Sequence, residues 1–206
     1  MSCTILRGER LKPIENMKNN SCFNDIESIL ISEEEINRIV ERISDDIDRD
    51  YRERVEKGNR LLLLCILKGS VVFMGELMKR ISLPVEIDFM KVSSYGKSTS
   101  TSGRINILLD LQRKDLSELD IVIVEDIIDS GRTLSYLVEY LKLGGAHSVK
   151  TCTMLDKPSR RQVEFYPDYR GLEIPDEFVV GYGLDYAEQY RALPYIGILK
   201  PEVYTK

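Results

Sequence analysis

Apolar residues recur at Ile36, Ile39, Val40, Ile43, Ile47 and Val55, a spacing that lays one buried stripe along a helix. Ser32 opens that helix with Glu35 three positions on, where each side chain can satisfy the other's backbone amide. Gly58-Asn59 stops it. After Arg60 the pattern changes: Leu61 to Leu67 is an unbroken apolar run of strand length, as in a parallel strand covered on both faces. A second helix is expected through Val72, Leu77, Met78 and Ile81. Pro84 then starts a half-buried strand in which Val85, Ile87 and Phe89 alternate with Glu86 and Asp88.

The stretch SSYGKSTSTSGR, residues 93–104, has almost no apolar residue from Gly96 to Arg104. It cannot pack, so a mobile loop is expected between that strand and a second one, residues 105–109. Asp120 precedes another two-sided strand, Ile121 to Val124, and a helix follows with Leu134, Leu137, Val138 and Leu141 inward, ended by Gly144-Gly145. Ser148 to Leu155, Phe178 to Tyr182 and Tyr195 to Leu199 read as further strands. Two-sided strands alternating with helices predict an α/β doubly wound sheet. Residues 1–24 mix charge and polarity without period and read as a loose N-terminal arm, leaving 25–206 as a single domain.

Composition narrows the function. The 206 residues are enough to bury a full core. With 29 Lys and Arg against 34 Asp and Glu, the net charge of −5 offers no basic surplus, and no nucleic-acid partner is expected. Four cysteines (Cys3, Cys22, Cys65, Cys152) lie far apart with no CxxC, and His147 is the one histidine. That scarcity argues against a Cys/His zinc site, and against a Ser-His-Asp triad unless His147 is its base. Cys65 and Cys152 lie in apolar strands and read as packing; His147 reads as the turn into a strand. No signal peptide or membrane span is expected, and unpaired cysteines point to the cytosol.

The chemistry concentrates in IVIVEDIIDSGRTL, residues 121–134. A buried strand is expected to end in Glu125 and Asp126, followed by Asp129, small Ser130 and Gly131, and Arg132-Thr133 at a helix start. Ligands bind beyond the carboxyl ends of such strands. Loop amides, the hydroxyls of Ser130 and Thr133 and the helix N-terminus make a cradle for a phosphate. The acids must face something else, and vicinal ribose hydroxyls or a magnesium ion are their natural guests. No GxxxxGK[ST] or GxGxxG after a strand is present to suggest another nucleotide-binding mode.

This stretch resembles the phosphoribosyl-pyrophosphate signature of the type I phosphoribosyltransferases. Within that family the chain is similar to the bacterial-type hypoxanthine-guanine enzymes over roughly residues 25–200. The likeness includes ILKGSVVFMGEL (66–77), DFMKVSSYGKSTSTSG (88–103), LDKPSRR (155–161) and EIPDEFVVGYGLDYAEQYRALPYIGIL (173–199). The resemblance implies a mostly parallel sheet flanked by helices, with a small hood and a flexible lid loop that includes Ser94 and Tyr95. It implies purine salvage: transfer of 5-phosphoribosyl from phosphoribosyl pyrophosphate to N9 of hypoxanthine or guanine, with Mg2+ as cofactor, in a homodimer or homotetramer in the cytoplasm.

Carried over residue by residue, Glu125 and Asp126 match the acids that engage ribose hydroxyls and metal, with Asp185 a further magnesium-linked acid. Asp129 matches the catalytic group that handles the purine N7 proton. Residues 129–133 (Asp129, Ser130, Gly131, Arg132, Thr133) match the 5′-phosphate loop. Lys68 and Gly69 fall on the pyrophosphate turn, where the family often has a cis peptide between Leu67 and Lys68, and Arg191 matches a pyrophosphate-binding arginine. Lys157 matches the donor to the 6-oxo group, Phe178 the ring that stacks on the base, and Val179 the backbone that reads the exocyclic edge. Arg132 within the loop and Ser70 in place of a second glycine depart from the family pattern without removing any of these groups. Two other readings share the fold: a regulator that senses phosphoribosyl pyrophosphate without turnover, and an enzyme acting on adenine or xanthine.

Overall fold

The computed structural model describes residues 24–94, 105–113 and 115–205. Residues 1–23 and most of the Ser/Thr-rich loop, Tyr95 included, lie outside the described residues. The strands are β1 Ile26–Ile31, β2 Arg60–Ile66, β3 Val85–Ser94, β4 Ile105–Leu109, β5 Leu119–Ile128, β6 Ser148–Asp156, β7 Tyr169–Glu173, β8 Val179–Val180 and β9 Ile196–Leu199. The helices are α1 Glu33–Glu56, α2 Val71–Met78, α3 Arg132–Leu143 and α4 Pro201–Tyr204, with a short 3-10 turn at Pro158–Arg160.

Six strands form the main sheet in the order β4-β3-β2-β5-β6-β7. β3, β2, β5, β6 and β7 run parallel, and β4 is antiparallel to β3. Because strand side chains alternate, the two-sided run at 61–66 feeds two cores. Leu61, Leu63 and Cys65 pack with Ile36, Val40, Ile43 and Ile47 of α1 and with Phe73 and Leu77 of α2. Leu62, Leu64 and Ile66 pack with Leu134, Leu137 and Leu141 of α3. Full burial of such side chains stabilises by roughly 1.5–3 kcal/mol each, so the central strands fix the frame that carries the loops. At the start of α1 the amide of Ser32 donates to Glu35 Oε2 at 2.9 Å while the amide of Glu35 donates to Ser32 Oγ at 3.3 Å, as the spacing predicts.

Several expectations are corrected. Among the described residues a strand, β1, precedes the helix at Ser32: IESILI is mostly exposed and pairs with β9, so it has no buried stripe to announce it. β5 does not stop at Val124 but runs on to Ile128, because its partner β6 continues to Asp156 alongside it. α2 ends at Met78, and Ile81 is buried beyond its end. β7 was not anticipated; Gly171 within it lets the Met154 carbonyl approach to 2.2 Å of where a Cβ would stand. Only Val179 and Val180 of the stretch 178–182 are strand, since Gly181, Tyr182 and Gly183 all take left-handed φ angles and turn the chain. β8 and β9 also leave the main sheet: with β1 they form a separate antiparallel sheet of order β1-β9-β8, and the turn after β8 meets the loop after β2 where Gly183 faces the Gly69 carbonyl. Among the described residues no helix is long and apolar enough to cross a membrane.

Candidate active site

Glu125 and Asp126 lie in the last part of β5, both half-buried. Burial, and then the charge of Asp126, push the Glu125 carboxyl well above its ordinary pKa. Its Oε2 is buried with no hydrogen-bond partner among the described residues. Burial raises Asp126 to about 6, opposed by the amide of Ile127, which donates to its Oδ1 at 2.7 Å, and by the Arg191 charge. Gly69, in the loop after β2, comes so close that a Cβ there would lie 1.5 Å from Asp126 Oδ2, which only glycine tolerates.

Beyond β5 the chain rounds Asp129, Ser130 and Gly131 into α3, with Gly131 in the left-handed region at φ 78°. A cleft of about 610 Å3 opens here, lined by Glu125, Asp129, Ser130, Gly131, Thr133 and Arg161 among others. Arg132, by contrast, is exposed and does not line it. Beside Asp129 stands Lys157, only 6% exposed, its Nζ donating to the Glu177 carbonyl at 2.9 Å. The same ammonium is 3.8 Å from Asp129 Oδ1 and 3.9 Å from Asp176 Oδ1. Phe178 follows, stacked on Tyr204 at 4.6 Å between centroids and met edge-on by Tyr186 at 5.6 Å. Val179 beside it is buried.

The small sheet brings a third group of residues over the β2 loop. The Leu67–Lys68 peptide is cis, as the resemblance implied. Lys68 Nζ lies 3.0 Å from Glu188 Oε1. Arg191 Nη1 donates to the Gly183 carbonyl at 2.7 Å, and its Nη2 lies 2.8 Å from Asp185 Oδ1. Gly183, at φ 98°, lets the Gly69 carbonyl approach to 2.0 Å of a Cβ position, locking the two loops together. Ser94 ends β3 in register with Ile105; Tyr95, the other residue expected in a lid, lies outside the described residues.

The sequence-derived residues thus form three neighbouring groups: acids on β5, the loop at 129–133 leading into α3, and cations Lys68 and Arg191 beside the turn of the small sheet. Among the described residues no three of His, Cys, Asp or Glu are close enough together to hold a metal, so Glu125, Asp126 and Asp185 are not a preformed cage. The hood holds Asp185 against Arg191 instead.

Residues 26–187 match the family model described as a phosphoribosyl transferase domain. The chain is 51% identical over 181 residues to the hypoxanthine-guanine phosphoribosyltransferase of Bacillus subtilis (strain 168), covering 88% of this chain and 97% of that protein. The chain belongs to the hypoxanthine-guanine phosphoribosyltransferase family. It is also 50% identical over 188 residues to the bifunctional protein TilS/HprT of Listeria monocytogenes serotype 4b (strain F2365), matching 91% of this chain but spanning only 28% of that longer protein. Among solved structures, a hypoxanthine phosphoribosyltransferase from Staphylococcus aureus superposes with a TM-score of 0.84 at 44% identity, covering 92% of this chain and 100% of that one.

Membership of this family does not by itself single out four further residues at the site. Glu188 pairs with Lys68, and the Glu177 carbonyl holds Lys157. Arg161 donates from Nη1 to the Asp129 carbonyl at 2.6 Å and from Nη2 to the fully buried carboxylate of Asp156. Glu188 and Arg161 were present in quoted motifs, but no local spacing relates either to its partner. Cys65 and Cys152 are buried free thiols, and burial pushes both above their ordinary pKa, in keeping with packing roles.

Proposed function

We propose that this chain transfers the 5-phosphoribosyl group of phosphoribosyl pyrophosphate to N9 of hypoxanthine or guanine, giving IMP or GMP and pyrophosphate. The observation that carries this reading is the placement of Lys157 Nζ 3.8 Å from Asp129 Oδ1, pairing a donor for an oxo group with a carboxylate that can handle a ring proton. Ser130, Gly131 and Thr133, with the loop amides, hold the 5′-phosphate at the start of α3. Glu125 and Asp126 accept from the ribose hydroxyls, a use that suits the unpartnered Glu125 Oε2. Lys68, the Gly69 amide and Arg191 neutralise pyrophosphate as its charge builds in the transition state. Phe178 stacks on the base with the face that Tyr204 leaves open, and the Val179 backbone reads the exocyclic edge. Ser94 and Tyr95 belong to a lid that excludes water from a ribosyl centre carrying positive charge. Positioning, not a covalent nucleophile, supplies most of the rate.

Magnesium fits the donor set. Hard carboxylate oxygens of Glu125, Asp126 and Asp185 suit it better than they suit zinc. With no preformed three-acid group, it would take its remaining ligands from substrate and water, as magnesium commonly does. When bound, it would offset negative charge on the pyrophosphate. The reading further takes 25–206 as one catalytic unit with 1–24 as an appended arm, acting in the cytoplasm as a homodimer or homotetramer.

The test is product analysis with phosphoribosyl pyrophosphate, magnesium and a panel of bases. Hypoxanthine and guanine are expected to give nucleotide and pyrophosphate, and adenine far less. Phosphoribosyl pyrophosphate binding with no base-dependent release of pyrophosphate would favour a sensor over an enzyme.

A further inference from the structure

The connection from β6 to β7 crosses behind the loop that carries Asp129 and ties down three consecutive carbonyls. The Ile128 carbonyl accepts from the Lys157 amide at 2.9 Å, and the Ser130 carbonyl accepts from the amides of Gln162 and Val163 at 3.0 and 3.3 Å. Between them, the Asp129 carbonyl accepts from Arg161 Nη1 at 2.6 Å. In a trans peptide the N–H points opposite to the carbonyl of the same plane. Fixing these three carbonyls toward the connection therefore turns the N–H groups of Asp129, Ser130 and Gly131 the other way. All three residues line the 610 Å3 cleft.

Of the bonds that make this arrangement, only the one from Arg161 comes from a side chain. Its side chain is 12% exposed, and its guanidinium is anchored at the other nitrogen by Asp156, whose side chain is 1% exposed at the end of β6. Arg170 Nη1 reaches the second oxygen of Asp156 at 3.4 Å, so that carboxylate is itself held in place. The Arg161 chain also presses on the loop, its Cδ lying 3.0 Å from where a Cβ on Gly131 would stand. A planar fork that spans a buried carboxylate and a main-chain oxygen demands arginine, because a lysine ammonium is a single point charge.

We infer that Arg161 is a positioning residue: by bridging Asp156 to the main-chain oxygen of Asp129, it sets where the Asp129 carboxyl and the loop amides stand relative to substrate. The inference rests on the role proposed above for Asp129. Displacements of about 1 Å at a reacting centre can cost on the order of 10²-fold in rate, so losing the bridge has a kinetic consequence separate from folding.

The experiment compares wild type, Arg161→Lys, Asp129→Asn and the double variant by steady-state kinetics, thermal melting and titration with phosphoribosyl pyrophosphate. Arg161→Lys keeps a cation beside Asp156 and is expected to melt within a few degrees of wild type, with kcat lower by about 10- to 100-fold. In the Asp129→Asn background the same change is expected to cost much less, because no positioned carboxyl remains to be misplaced. A fold-stabilising ion pair alone would give neither result. If Arg161→Lys does not fold, Arg161→Met with Asp156→Asn removes both charges together, and it is expected to show the same loss of kcat. Wild-type kcat in either folded variant, or equal losses in both backgrounds, overturns the inference. Undiminished turnover in Asp129→Asn alone would instead sink the role of Asp129 on which it rests.

Discussion

Lys68 and Glu188 are 120 residues apart in the chain, yet the Lys68 ammonium lies 3.0 and 3.1 Å from the two carboxylate oxygens of Glu188. Arg191 Nη2 reaches the same carboxylate at 3.3 Å. Hydrogen bonds from Lys68 and then Arg191 hold the Glu188 pKa below its ordinary value, so it stays ionised at neutral pH. One exposed acid thus occupies both cations proposed to receive pyrophosphate, and it sits in a turn where Ala187, Glu188 and Tyr190 all take left-handed φ angles.

An incoming pyrophosphate must take the place of this carboxylate. Glu188→Gln is therefore expected to tighten binding of pyrophosphate by roughly two- to five-fold at low ionic strength, the range of an exposed ion pair, and by less at high salt. Titration calorimetry checks this. Weaker binding in the variant would mean that Glu188 holds the cations in position instead of occupying them.

Asp129 is half exposed at the mouth of the cleft, with Lys157 Nζ 3.8 Å away. Asp129→Asn preserves shape but removes the proton acceptor. We expect kcat to fall by about 10²-fold or more while the affinity for phosphoribosyl pyrophosphate stays nearly unchanged. Parallel measurement of kcat and substrate dissociation constant separates the two.

Lys157 is almost completely buried and held by a main-chain carbonyl, so its direction is fixed. It can donate to a 6-oxo oxygen but would face a donor in adenine, and a partner lost in a buried site costs about 1–3 kcal/mol. Lys157→Gln is expected to lower kcat/KM for hypoxanthine and guanine and narrow the gap to adenine. An unchanged ratio of hypoxanthine to adenine would remove Lys157 from base recognition.

Stability in acid should depend on Asp120, far from the site at the amino end of β5. Its side chain is 1% exposed and receives Arg54 Nη1 at 2.9 Å, Asn59 Nδ2 at 3.2 Å and the Ser148 hydroxyl, with His147 Nδ1 at 2.9 Å. Burial alone would raise its pKa, but Ser148, His147, Arg54 and Asn59 together outweigh burial and leave it below the ordinary value. A depressed folded pKa means that this stabilisation is complete above the unfolded value, about 3.9, and is lost as pH falls through the folded one. Asp120→Asn is expected to lower unfolding free energy by about 1–3 kcal/mol at pH 7. Urea titrations should show the difference from wild type shrinking below about pH 4.

The parts of this protein that were legible in its sequence are those whose cause is local. The 3.6-residue period of Ile36 to Val55, the Ser32/Glu35 cap and the two-sided run at 61–66 each predicted an element that the structure contains, because period and capping depend on neighbours within a turn or a strand. The signature at 121–134 likewise located the cleft, since strand, loop and helix start are contiguous. Periodicity could not reveal β1 or β7, whose exposed or polar residues are ordered by the strands beside them. Nor could it show that β8 and β9 leave the main sheet, a choice made by three successive left-handed residues and by pairing with β1. The strand-to-helix pattern pointed to Asp129 and the family resemblance to Lys68 and Lys157; only the tertiary structure decided what each of them touches. Their partners, Arg161, Glu188 and the Glu177 carbonyl, stand 32, 120 and 20 residues away and are brought in by packing, to which no short-range pattern is sensitive.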